Sequence, residues 1–452
     1  MNILKKLDDN DLIGKSLRIA LSFYPYKYRK LKKPFAEFTN LLLENERKSF
    51  KEMQHYQFDR FRSIVKNANN HSIFYKKHFR ENNFSISDLK NISDIDKVPI
   101  LRKQDIKDCY KDLILDTYKG KIYSSVTSGT TGSPLTILRD KETSTKEWAS
   151  ICYQWMRIGY KPNDGRIELR GLLNKGEIVR NINYDKVLRV NIIEMSSLNI
   201  EFIYMQIVKS ENKFLHGYPS AIVKFFKTLI RKGMSLPHNI EGVFLASEIL
   251  YDWQIDFIKE FCPTKVKIIA HYGQAEKIAL GAWNEDEKYH FIPTYSLVEK
   301  GKNNSIIGTS FINDNIPLIR YQMNDVVEDF VQRPENNNKS LFPIVGQIKG
   351  RLEDVTYTND ELEVPPAIVT FPFKNLITIK ACRIIQLSFI SFRIEYQTFN
   401  IMDERILDKE LKHLKESFVF IYGNKSKIEF IKKDNFTDLK NGKFRWIINK
   451  MK

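Results

Sequence analysis

At 452 residues with 42% hydrophobic and 12% aromatic side chains, the chain is long enough for more than one core, which excludes a fibrous or disordered protein. A formal charge of +17 admits a polyanionic small substrate or an anionic membrane surface. The excess, however, is largely Lys spread along the whole chain, without the basic, aromatic-interleaved signature of nucleic-acid binding, so nucleic acid is set aside as a partner. Cys109, Cys152, Cys262 and Cys382 lie far apart with no C-x-x-C pairing, which argues against a disulfide framework or a cysteine zinc site and fits a reducing cytoplasm.

Residues 1 to 15 mix charges with short apolar pieces and do not read as a signal peptide, and no apolar run reaches the ~18 residues of a membrane span. The basic aromatic piece Tyr24 to Pro34 reads as a solvated segment packed on the body, with peripheral contact to an anionic membrane face as the alternative. From Phe35 to Phe79, Phe50, Met53, Phe58, Phe61, Ile64 and Val65 recur at helical intervals and predict two helices. An extended Val98-Pro99-Ile100-Leu101 piece leads into a helix. Two β-prone runs, Lys121 to Val126 and Leu135 to Leu138, flank Thr127-Ser128-Gly129-Thr130-Thr131-Gly132-Ser133-Pro134, whose glycines, proline and hydroxyls build a loop. Glycines let backbone N–H groups approach oxygen and hydroxyls donate further hydrogen bonds, a composition suited to phosphate; the Walker spacing is absent.

Helices are expected at Thr143 to Gly159, Ile200 to Lys209, after Ser220 to Leu229, and Tyr251 to Phe261. They alternate with strands at Arg166 to Leu172, Lys213 to Leu215, Gly242 to Leu245 and Val266 to Ala270, an alternation that implies parallel strands covered by helices. Strands dominate from Tyr289 to Val331. Beyond Gly350-Arg351, strands over 380 to 399 and 416 to 432 flank a charged helix from Asp403 to Lys415. The expected fold is α/β: a large domain of mixed sheets and helices over residues 1–350, and a small mobile α+β domain over 351–452.

The stretch Ser124 to Arg139 resembles the phosphate loop of the adenylate-forming (acyl-AMP) ligase superfamily, and the Val-Pro-Ile-Leu segment resembles its phenylacetate-CoA ligase-like branch. The resemblance implies that Thr127, Ser128, Gly129, Thr130, Thr131 and Gly132 hold ATP phosphates, with Thr131 among the catalytic groups. Leu245-Ala246-Ser247-Glu248 is similar to the stretch lying against adenine; a strand-to-helix turn is the other reading of Ser247 and Glu248. His271-Tyr272-Gly273-Gln274-Ala275-Glu276 resembles the Tyr-Gly-x-Thr-Glu motif, with Tyr272 and Gly273 at the nucleotide and Glu276 as Mg²⁺ ligand, although Ala275 replaces a hydroxyl. Pro317 to Asp325 is similar to the Arg-Tyr-Arg-Thr-Gly-Asp motif, so Asp325 accepts the ribose hydroxyls, while Gln322, Met323 and Asn324 depart from the family. Gly346 to Asp354 resembles the hinge, which places Arg351 near ribose or phosphate and Glu353 at the pivot. Asn441-Gly442-Lys443-Phe444-Arg445 resembles the ending whose lysine meets the α-phosphate, so Lys443 is assigned to catalysis.

These motifs imply an enzyme that joins a carboxylic acid to AMP, with ATP and Mg²⁺, and passes the acyl group to CoA or another acceptor, in the manner of capsule and surface-polysaccharide branches. A degradative aryl-CoA ligase and a non-catalytic nucleotide-binding scaffold are the rival readings. The acyl substrate, the acceptor and the oligomeric state, a homodimer included, stay open at the level of sequence.

Overall fold

The computed structural model describes residues 31–126, 135–170, 173, 176–248, 250, 252–332, 342–349, 356–398, 403–434 and 447–451, apart from 108, 365, 370, 371, 374, 375 and 377. Three helices open it where two were expected: α1 (Lys33–Glu46), α2 (Phe50–His71) and α3 (Ile73–Glu81). Ser49 and Glu52 form a capping box that starts α2, and Ser72 ends α2 while its side chain accepts the Tyr75 N–H to start α3. After a short helix α4 (Lys103–Ile106), strands β1 (Tyr123–Val126) and β2 (Thr136–Arg139) pair antiparallel on either side of 127–134, as expected.

Helix α5 (Thr143–Met156) begins where Asp140 accepts the N–H groups of Glu142 and Thr143. The central sheet then forms from β3 (Arg166–Arg170), β4 (Val179–Ile182), β5 (Val187–Asn191), β6 (Phe214–Gly217), β7 (Gly242–Ala246), β8 (Lys267–Gly273), β9 (Leu280–Trp283) and β10 (Tyr289–Phe291), with α6 (Ile200–Lys209), α7 (Pro219–Arg231) and α8 (Asp252–Phe261) between strands. A later strand, β14 (Ile344–Val345), closes the order β14-β10-β9-β8-β7-β6-β3-β5-β4, in which β5, β3, β6, β7 and β8 run parallel.

One face of the sheet packs on α1 and α5 through Phe38, Trp155, Tyr160, Phe214 and Phe244. The other packs on α6, α7 and α8 through Ile203, Phe225 and Ile258 against Leu169, Leu215 and Val243. Burial on both faces is what parallel strands between helices require.

A second, antiparallel sheet holds β11 (Ser296–Lys300), β12 (Ser305–Ser310), β13 (Tyr321–Val327) and, after β14 (Ile344–Val345), β15 (Ile348–Lys349). The Val-Pro-Ile-Leu segment docks on it: the Leu101 N–H donates to the Arg320 carbonyl at 3.0 Å and its carbonyl accepts from Gln322 N at 2.9 Å, with Leu101 fully buried.

Past the ladder of β16 (Thr356–Tyr357) with β17 (Glu363–Val364) and the short α9 (Pro366–Val369) comes the C-terminal unit, β18 (Ile379–Ser388), β19 (Ser391–Thr398), α10 (Glu404–Tyr422), β20 (Lys427–Lys432) and β21 (Ile447–Asn449), in sheet order β20-β19-β18-β21. One expectation is overturned here. Residues 416–422 are not strand but the last two turns of α10, because Leu407, Leu414, Phe418 and Ile421 fall on one buried helical face and Phe418 packs on Phe392 of β19. Gly423, at φ +90°, then takes the backbone out of the helix.

Candidate active site

In an open α/β sheet, ligands bind outside the carboxyl ends of the parallel strands, and three of the sequence motifs end there. Ala246 is the last residue of β7 and lies opposite His271 of β8 in parallel register. Ser247 follows with φ +69°, a left-handed conformation that turns the chain sharply off the strand and leaves Ser247 exposed and Glu248 half-buried. Strand β8 runs through Tyr272 and Gly273, three residues further than the sequence suggested, and the chain then turns back toward β9 through Gln274 to Ala279.

The second sheet brings Asp325 to the same place. Between the pairs Ile307↔Gln322 and Ser305↔Val326 the register shifts, so Met323, Asn324 and Asp325 lie opposite a single residue of β12. Such an irregularity bends the strand and re-aims its side chains. The three residues that depart from the family motif therefore continue the strand rather than breaking it.

Asp325 meets Tyr272: the phenol Oη donates to Asp325 Oδ2 at 2.6 Å. Burial, the charge of Asp325 and this hydrogen bond push the Tyr272 phenol far above its ordinary range, so it remains a donor. Two motifs separated by 53 residues thus close on each other. Glu276 lies close enough to feel the same carboxylate. Burial first, and then the charge of Asp325, raise the Glu276 carboxyl above the ordinary 4.5, against the opposing pull of its own backbone N–H, Lys103 and Lys277.

Two further features, which the sequence reading missed, fix this geometry. Arg320, at the start of β13 and at φ +47°, forms a fork with Glu299 (2.8 and 3.1 Å) and donates to the carbonyls of Asp96 at 2.8 Å and Val98 at 2.6 Å. It binds the Val-Pro-Ile-Leu segment to the strand that carries Asp325. Gly308 on β12 lets the loop that carries Glu276 approach, since a Cβ there would stand 2.5 Å from the Ile278 carbonyl oxygen.

Thr127, Ser128, Gly129, Thr130, Thr131, Gly132, Arg351, Glu353 and Lys443 lie outside the described residues. The described ends of the loop, Val126 and Thr136, are a cross-strand pair, so the chain leaves and re-enters the hairpin at one point. Among the described residues no group of three or more His, Cys, Asp or Glu is placed to hold a metal ion.

The protein is an α/β enzyme with the fold of the adenylate-forming acyl-CoA ligases. 2-Hydroxyisobutyryl-CoA ligase, solved with 2-HIB-AMP and CoA in its thioesterification state, matches at a TM-score of 0.53 and 15% identity, covering 88% of this chain and 90% of that one. The open conformation of the same ligase matches at 0.51 and 15%, covering 87% and 91%. In sequence the chain is homologous to Protein CapK of Staphylococcus aureus, 22% identical over 416 residues and 89% of each chain, and to the phenylacetate-coenzyme A ligase of Pseudomonas putida, 22% identical over 359 residues, 74% of this chain and 76% of that one. No family model matches the chain.

Proposed function

We infer that this chain activates a carboxylic acid with ATP as its acyl-adenylate, releasing pyrophosphate, and then transfers the acyl group to a thiol, CoA being the acceptor named for the phenylacetate-coenzyme A ligase and the 2-hydroxyisobutyryl-CoA ligase. The observation that carries the reading is the Tyr272–Asp325 hydrogen bond at the carboxyl ends of the central strands, with Glu276 beside it. That contact supports assigning both motifs to one nucleotide site.

In this reading Asp325 accepts the ribose hydroxyls. A carboxylate offers about four lone-pair sites, so Tyr272 can occupy one and hold the group in orientation while the others face the sugar. Thr127 to Gly132 surround the polyphosphate, Ala246, Ser247 and Glu248 lie against adenine, and Arg351 reaches ribose or phosphate. Residues 351–452 act as a lid that turns near Glu353 and brings Lys443 to the α-phosphate for the first half-reaction.

The residues fit a divalent cation that arrives with ATP. Glu276 is a hard oxygen donor whose charge, next to that of Asp325, is stabilised by an added cation. Bound Mg²⁺ would supply neutralisation of the polyphosphate charge. No nucleophilic side chain is needed, because the chemistry is in-line attack of the bound carboxylate on the α-phosphorus with the reactants held in register. A role in capsule or surface-polysaccharide synthesis is supported only by the likeness to Protein CapK.

The test is to incubate the protein with ATP, Mg²⁺, CoA and a panel of aliphatic, aromatic and hydroxy acids and to follow AMP and acyl-thioester by mass spectrometry. The reading expects AMP and thioester in equal amounts with at least one acid. ADP as the nucleotide product, or an acid-independent release of AMP, would contradict it.

A further inference from the structure

Strand β3 reads Arg166-Ile167-Glu168-Leu169-Arg170 and lies inside the central sheet, between β5 and β6. Parallel strands covered on both faces are ordinarily apolar on both. Here Ile167 and Leu169 serve one face, while every residue on the α5 side is charged.

Register carries the polar pattern across the sheet. Glu168 lies opposite His216 of β6, His216 opposite Phe244 of β7, and two residues further on Ala246 of β7 lies opposite His271 of β8. Arg170, His216 and His271 therefore share one face near the carboxyl ends of their strands. Trp155 of α5 covers them, with ring centroids 5.0 Å from His216 and 6.1 Å from His271, while the two imidazoles are 6.2 Å apart.

These side chains hold unused hydrogen-bonding capacity. Arg170 Nε, His216 Nδ1, His271 Nδ1 and Trp155 Nε1 are all buried and have no hydrogen-bond partner among the described residues. Trp155 is 1% exposed and His216 6%. A buried polar atom left without a partner is destabilising, so four in one place call for something that satisfies them.

Their polarity follows from a single contact. Arg170 Nη2 lies 3.2 Å from His216 Nε2, and an arginine only donates, so Nε2 is the acceptor and the ring proton is on Nδ1. Arg170 Nε, His216 Nδ1 and Trp155 Nε1 are then all donors, one of them cationic, and His271 Nδ1 takes either part. Glu168 is hydrogen-bonded by Arg166 at 2.7 Å and Arg189 at 2.8 Å, and its one negative charge is shared among these two and Arg170, so the cluster keeps a net positive charge.

We propose that this cluster binds the tail of the acyl substrate, and that the substrate is a short carboxylic acid whose far end carries a second carboxylate. The proposal rests on the adenylation reading above. His271 immediately precedes Tyr272, the residue that binds Asp325; consecutive strand residues point to opposite faces, so the tail site and the nucleotide carboxylate meet around the carboxyl end of β8. His271 stands two residues before the end of β8, about 7 Å, so an acid that reaches the cluster from the strand end is a short one. An apolar tail would leave the donors unpaired, and a pocket built to hydrogen-bond its substrate discriminates strongly against an analogue that lacks the bonding group.

The test is acid-dependent exchange of pyrophosphate into ATP with succinate and glutarate set against butyrate, valerate and phenylacetate. The diacids are expected to exceed monoacids of equal length by about 10-fold or more in kcat/KM, the scale of one or more charged hydrogen bonds. In Arg170→Gln the diacid-to-monoacid ratio falls by about 10–100-fold, Arg170→Lys recovers part of it, and Trp155→Phe, which removes the indole N–H with part of the ring system and keeps an aromatic against Phe244, lowers it less. A melting curve establishes that each variant is folded, and the wild-type ratio stands whether or not the variants fold. Exchange with monoacids in preference to diacids, or an unchanged ratio in folded Arg170→Gln, overturns the tail site and leaves adenylation standing. No exchange with any acid overturns both.

Discussion

Asp325 owes its position to a buried arginine and to the register of its strand. Arg320 joins β13 to Glu299 and to the Asp96–Val98 carbonyls, and the register shift beyond it turns Asp325 toward Tyr272. Because the Asp325 side chain ties to one phenol at the end of the strand, Asp325→Ala should leave the fold intact. It should also weaken adenylate formation by about 1.5–3 kcal/mol, the value of a hydrogen bond to a charged group. Exchange kinetics on a variant of unchanged melting temperature checks this, and wild-type exchange would remove Asp325 from the site. Gly308→Ala has the opposite character. Its methyl would meet the Ile278 backbone carbonyl, so a shift of the loop carrying Glu276 is forced, with a loss of roughly 1–3 kcal/mol in stability. Chemical denaturation measures that loss directly; a variant as stable as wild type would show that the loop yields without strain.

At the scale of single elements, β3 sets the response to acid. Burial opposes the charge of Glu168, but Arg166, Arg170 and Arg189 outweigh it and hold the carboxyl down at about 2. A depressed carboxyl contributes stability in full above the unfolded value, near 4.5, and that contribution is lost as pH falls toward 2. His271 acts earlier: burial and then Arg170 lower it from 6.5 to about 4, so the unfolded chain takes up a proton below about 6.5 that the folded one refuses. Stability should therefore decline from pH 6.5 downward, in a first limb due to the histidines and a second, below 4.5, due to Glu168. Urea midpoints at pH 7, 5.5 and 4 follow the first limb, and His271→Gln should flatten it. A midpoint constant from pH 7 to 4 would show that His271 titrates normally. Glu168→Ala strips three arginines of their shared counter-charge and should cost about 3–5 kcal/mol.

Elements also show what could be read from sequence. The βα alternation through β6, α7, β7, α8 and β8 was legible because each strand is a short apolar run and each helix an amphipathic one. The run Phe418-Val419-Phe420-Ile421-Tyr422 was misassigned because a short apolar stretch fits a buried strand and a buried helix equally, and only packing on Phe392 distinguishes them. The hairpin of β4 and β5 was passed over, its arginines and asparagines hiding the alternation. The polar face of β3 had a signal: a charge at every second position of R-I-E-L-R marks a strand with one charged face. The partners of that face, His216 and His271, come together only through the sheet register.

At the scale of the whole molecule, Asp325 and Glu276 carry negative charge at a shared place that an ATP-bound cation would neutralise, so ATP with Mg²⁺ should raise the melting temperature. A ligand at 100 times its Kd adds about 2.7 kcal/mol. An unchanged melting temperature at millimolar ATP–Mg²⁺ would count against nucleotide binding. If residues 351–452 turn as a lid, Lys443→Ala should slow adenylate formation by about 10²–10³-fold, as expected for one preorganised charge-stabilising group, and spare transfer from a supplied acyl-adenylate. Timing both half-reactions separately checks this, and equal losses in the two would argue against a rotating lid. The central claim, that the Tyr272–Asp325 junction serves acid-dependent adenylation, is tested most directly by exchange of labelled pyrophosphate into ATP by the purified wild-type protein. Exchange that requires a carboxylic acid and Mg²⁺, and that falls at least about 10-fold in folded Asp325→Ala, is the predicted result. ATP binding without exchange for any acid, or exchange indifferent to Asp325, would contradict it.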